Sequence, residues 1–143
     1  MNTQQRSAER GQVLLWMVVM LPLFLAFVGL VFDGGVLYVQ FRRARWAADA
    51  AAIAAASDIV PGLFQERGEV QLGPQAHATA QIYARQNYPD LRVTHVFVSD
   101  NVIHVRGQVY VEPMFLSMFG VQDILLHVEG QGRPAWGATQ EGE

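Results

Sequence analysis

His95, His104 and His127 each fall on one of three stretches in which apolar and polar residues alternate. Three imidazoles brought into one place could hold a zinc ion. The same pattern also fits three solvated strand histidines, and no carboxylate stands at a recognisable ligand spacing from them, so no metal site is assigned. Other chemistry is easier to exclude. The chain contains no cysteine, which removes disulfides and thiolate ligands. It has no nucleophile elbow, phosphate loop, HExxH or CxxC. Gly34-Gly35 follows an apolar run, where a phosphate loop follows a strand. The Met and Phe residues of "PMFLSMFG" (Pro113–Gly120) read as packing groups before they read as a cofactor pocket. The expectation is a protein that is not an enzyme, with no cofactor, no metal and no small-molecule substrate.

Charge narrows the partners. All ten basic residues are arginine, and the net charge is −3. Residues 1–57 hold five arginines against Glu9, Asp33 and Asp49, while residues 58–143 hold five arginines against ten acids. The C-terminal part lacks the clustered positive charge that phosphate binding requires, so no nucleic-acid partner is expected.

The elements that would position any site begin with "VLLWMVVMLPLFLAFVGLVF" (Val13–Phe32), twenty residues without a charge. A helix of that length spans about 30 Å, the hydrocarbon thickness of a bilayer. Trp16 and Tyr38 stand where interfacial aromatics belong. Pro22 removes one helical hydrogen bond and is expected to kink the helix, as membrane helices tolerate. A signal peptide fits poorly, because its apolar region runs only about 7–15 residues and the one Ala-x-Ala sequence, Ala54–Ala56, lies far beyond the run. A core helix of a soluble domain fits poorly too, since the run is apolar all round. Lipid is therefore an expected partner. Asp33, Gly34 and Gly35 mark the membrane exit, either as a break or as a weak point in a continuing helix. Next comes "AADAAAIAAAS" (Ala47–Ser57), with eight alanines in eleven residues. Alanine forms helix readily and buries little area, so its use is close approach of another backbone. Ala47, Ala48, Ala51, Ala52 and Ala55 are the expected packing positions, against a partner helix; the alternative is a spacer between membrane and domain. Arg45 and Asp49 stand at i,i+4.

Turn residues (Pro61-Gly62, Gly68, Gly73-Pro74) make Asp58–Pro74 a loop. Gln75–Asn87 reads as a short helix with Ala76, Ala80, Tyr83 and Ala84 on one face. "LRVTHVFV" (Leu91–Val98) and "VIHVRGQVYVE" (Val102–Glu112) flank "SDN" as a hairpin. In the second strand Ile103, Val105, Val109 and Val111 share one face, and His104, Arg106, Gln108 and Tyr110 the other. Pro113–Gly120 makes one or two helical turns. "ILLHVEGQG" (Ile124–Gly132) is a third strand with Ile124, Leu126 and Val128 inward. The fold class is α+β: a cytoplasmic tail over 1–11, an anchor over 12–35, an Ala-rich helix over 36–57, a small domain of one helix against about three antiparallel strands over 58–133, and a flexible tail over 134–143.

The stretch Arg10–Ala56 resembles the N-terminal region of the TadE/TadG-like Flp pilus-assembly proteins. The resemblance lies in the order of Arg10-Gly11, Leu21-Pro22 within the apolar run, Asp33 with Gly34 or Gly35, Tyr38, Arg42-Arg43, and Ala47–Ala52 with its central Asp49. It implies a single-pass protein of the bacterial cytoplasmic membrane, N-terminus inside and soluble domain outside, packing against other pilus-assembly or pilin-like proteins through helices. The arginine count alone leans weakly towards the opposite orientation. Some members are cut after a glycine and carry glutamate five residues on. Here Trp16 stands five residues past Gly11, which argues against such a cut. The expected function is a minor-pilin-like assembly component; the alternative is a membrane-tethered extracytoplasmic binding module.

Overall fold

The computed structural model describes residues 3–60 and 70–133. Pro61-Gly62, Gly68 and the C-terminal tail from residue 134 lie outside the described residues.

One helix, α1, runs unbroken over Thr3–Ala55. It passes through Pro22, whose missing N–H removes a single hydrogen bond from a ladder held on both sides. It also passes straight through Gly34-Gly35, so the continuing-helix alternative is the one found there. The small domain follows: α2 (Ala76–Asn87), β1 (Arg92–Ser99), β2 (Val102–Val111), a 3-10 turn (Leu116–Phe119) and β3 (Ile124–Gly132). The three strands form an antiparallel meander in the order β1-β2-β3, and the fold is α+β.

Local chemistry accounts for the joins. Asp58 organises the start of α2: its backbone carbonyl accepts the Gly73 amide at 2.7 Å, and its carboxylate accepts the Gln75 amide at 2.7 Å. The β1–β2 connection is the two-residue turn Asp100-Asn101, with φ of 52° and 59°. Both residues need the left-handed region there, which Asn and Asp tolerate best after glycine. The turn is tied down where the Asn101 side-chain oxygen accepts the Val70 amide. Gly120, at φ 83°, closes the 3-10 turn.

Strand β1 carries a bulge between Val93 and His95. The one extra residue switches the inward face from odd to even positions. Leu91 and Val93 point inward before it, Val96 and Val98 after it. The inward face of β2 is Ile103, Val105, Gly107, Val109 and Val111, all buried. Beyond β1, the Gln81 side chain on α2 receives the Val93 amide and donates to the Leu91 carbonyl, covering part of the exposed strand edge. On α2, Ala76, Ala80 and Ala84 are buried. Tyr83, expected beside them, is instead exposed, because a face of methyl groups closing on α1 leaves no room for a ring.

Candidate functional site

The two halves of α1 have opposite surroundings. From Gln12 to Val28 every side chain is exposed, whereas Ala44, Ala47, Ala48, Ala51, Ala52 and Ala55 are at most 2% accessible. The backbone that closes on these alanines is the chain's own. Strand β3 lies along the helix with glycines facing it. A Cβ at Gly130 would overlap the backbone of Ala48 and Asp49, and one at Gly132 would come within 2.5 Å of the Ala52 carbonyl carbon. The match is one of periods: two strand residues rise about 6.6 Å and one helical turn of four residues about 6 Å. Gly130 therefore sits over Ala48 and Gly132 over Ala52. Between the glycines, the Gln131 amide donates to the Asp49 carboxylate at 2.9 Å. Asp49, spaced to pair with Arg45, serves as acceptor for this strand-edge N–H. From the other side come the buried alanines of α2, and Tyr88 at its end donates a 2.9 Å hydrogen bond to the Gln40 side chain. The partner helix expected on this face would find it filled from within.

A second junction lies lower on α1. The Asp33 side chain is 1% exposed. Its two oxygens accept the amides of Met114, Phe115 and Leu116, at 3.0, 3.1 and 2.6 Å. These are amides at the start of the 3-10 turn, which has no capping side chain of its own. A carboxylate from 81 residues away thus supplies the cap. The Phe115 ring lies over Gly29, where a Cβ would stand 2.9 Å from it, and meets Phe32 edge-on at 5.5 Å. The sequence marks Asp33 only as part of a membrane-exit motif; Gly34 and Gly35 are exposed and make no close contact. What pointed to Asp33 was a lone acid directly after twenty uncharged residues.

The histidines do not converge. His104 stacks on Phe97 at 5.0 Å and bonds the Glu129 carboxylate through Nδ1 at 2.9 Å. Arg106 lies over the Phe97 ring, 4.8 Å from its centre, and donates to Glu129 at 2.8 Å. These two hydrogen bonds, Arg106 first, hold the Glu129 carboxyl below its ordinary range. His95 and His127 instead border a shallow groove on the outer sheet face with Thr94, Arg106 and Gln108. Among the described residues, no three His, Asp or Glu side chains form a group able to hold a metal.

The arrangement is that of a long apolar helix with a small α+β domain seated on its distal half. Among the described residues, one helix is long and apolar enough to cross a membrane. Residues 11–58 match the family model of the Flp pilus-assembly TadE/G-like proteins. The matched segment contains the apolar run, Asp33 and the alanine seam, and it stops where the small domain begins. No curated protein and no solved structure matches the chain. The family match supports a role connected with pilus assembly.

Proposed function

We propose that the chain is a single-pass, minor-pilin-like structural component of a Tad/Flp-type pilus or secretion system. Its N-terminus is cytoplasmic, residues 12–35 cross the bacterial inner membrane, and the α+β domain stands outside it. One observation carries the reading: within the segment that matches the pilus-assembly family, sixteen consecutive residues from Val13 to Val28 are exposed and uncharged. In water that surface would be a severe liability, whereas lipid covers it at no cost.

The helix also carries a surface suited to neighbouring subunits, on the side away from the alanines. Val39, Trp46 and Ile53 are exposed at seven-residue spacing, continuing the phase of Phe32 in the apolar run. They form an apolar stripe of one residue per heptad, narrower than a full two-position heptad seam, and a neighbouring subunit would cover it. Partner packing is accordingly assigned to Val39, Trp46 and Ile53, with the alanines holding the domain to its own helix.

The test is a reporter active only outside the cytoplasm, fused after Glu143, combined with an alkaline carbonate wash of membranes. Reporter activity in carbonate-resistant membranes is expected. Extraction by carbonate, or activity only in the cytoplasm, overturns the reading. Loss of surface pili on deletion of the gene, restored by the wild-type chain and reduced with Trp46→Ala, is expected for an assembly component and not for a tethered binding module.

A further inference from the structure

We propose that Pro113–Val121 is a second membrane contact, lying in the headgroup–acyl boundary with Met114, Met118 and Phe119 inserted among lipids. This rests on the membrane-anchor reading above. Three observations meet here. The stretch from Pro113 to Gln122 has no charged residue, and Glu112 and Asp123 bound it. Three of its large apolar side chains face outward: Met114 is 67% exposed, Met118 81% and Phe119 74%. The segment is also held at a defined height on the helix. Phe115 covers Gly29 and meets Phe32, while Asp33 grips three successive amides of the segment.

That height chooses the occupant. Gly29 and Phe32 belong to the last turn of the twenty-residue apolar run, Phe32 at its end and Gly29 about 5 Å inside it at 1.5 Å per residue. Whatever surrounds the helix there also surrounds the segment fastened to it. The exposed methionines and phenylalanine continue the bare apolar surface of the span, so the same lipid covers both. Acids at either end limit the depth, because a carboxylate is costly in hydrocarbon. The result is an apolar wedge at the interface, a shallow insertion of the kind amphipathic segments make. It would fix the height and rotation of the domain on the membrane, which a single helix alone leaves free.

The chain has no cysteine, so single cysteines give unique labelling points in the full-length protein. Met118→Cys, Phe119→Cys, Leu25→Cys and Ile53→Cys would each carry an environment-sensitive fluorophore. The proteins would be reconstituted in phosphatidylethanolamine–phosphatidylglycerol vesicles containing nitroxide lipids labelled near the headgroup or deep in the chain. Labels at 118 and 119 are expected to be quenched several-fold more strongly by the shallow nitroxide than the label at Ile53, which lies about 30 Å further along the helix. The label at Leu25 should respond most to the deep one. Quenching at 25 with none at 118 and 119 overturns the wedge and leaves the anchor standing. No quenching at 25 overturns the anchor, and the wedge with it. A blue-shifted but unquenched label at 118, with crosslinks between copies, means that protein covers the segment and also overturns the proposal. Met118→Asp with Phe119→Asp should leave domain melting unchanged, since both side chains are exposed, and abolish shallow quenching of a label at Val121→Cys.

Discussion

The two halves of α1 invert the usual rule of burial. Its largest apolar side chains, from Leu14 to Phe27, stand exposed, and its smallest, Ala44, Ala47, Ala48, Ala51, Ala52 and Ala55, are sealed. Burial here depends less on how apolar a residue is than on what can reach it. Leucine and phenylalanine hold neighbouring backbones away and suit a fluid solvent of lipid chains. Alanine opposite glycine lets helix and strand backbones touch, and contact at that range is made of many small dispersion gains and one well-aimed hydrogen bond, Gln131 to Asp49.

The sharpest way to break this contrast is Gly130→Ala. The new methyl would overlap the Ala48 backbone, which cannot yield as a side chain could, so a loss of about 3 kcal/mol or more is expected. Thermal melting of the full-length protein in detergent micelles would register it, and an unchanged melt would show that the seam is loose. Nearly as large is the effect of Ala48→Leu or Ala51→Leu, at about 1–3 kcal/mol by overpacking. Ala26→Leu, the same change on the bare half, should shift the domain's melting by under about 0.5 kcal/mol. Equal effects at 26 and 48 would erase the distinction between the halves.

At the boundary between them, Asp33→Ala removes the acceptor for three amides and should cost about 1–3 kcal/mol. Faster proteolysis across Met114–Phe119 is the expected signature, with Asp33→Asn intermediate because an amide offers one acceptor oxygen instead of two. Equal cleavage of all three proteins would mean that the phenylalanine contacts alone hold the segment.

The smallest effect is on the outer sheet face. Arg106 and His104 depress the Glu129 carboxyl, so its contribution is present above the ordinary glutamate value near 4.5 and is lost as pH falls through the lower, folded value. The side chains are partly solvated, which limits the contribution to about 0.2–1 kcal/mol. Comparing melts of wild type and Glu129→Gln at pH 7 and at a pH well below the lowered folded value should show a difference only at the higher pH. A difference that persists in acid would assign the residue a role apart from its charge.

Much of this was legible because it depends on local pattern. Twenty uncharged residues marked one long apolar helix, period-two alternation marked three strands, and Ala76, Ala80 and Ala84 marked the buried face of α2. The bulge could also have been seen, since the inward positions of "LRVTHVFV" change parity between Val93 and Val96. The role of the alanines was half legible. Their size announced close approach to a backbone, but a helix cannot say which backbone approaches, and a second helix was as good a guess as a strand. The glycines of "GQG" held the complement, on the face of β3 already marked by Val128. Matching them to Ala48 and Ala52 requires knowing that strand and helix lie side by side. Asp33 was furthest from reach. A carboxylate at the end of an apolar run announces a need for donors, and its donors stand more than eighty residues along the chain. Composition and periodicity determined the elements because they act within a few residues. Only the tertiary structure decided which small face met which, and which acid capped which turn, because those pairings join surfaces that the chain brings together only on folding.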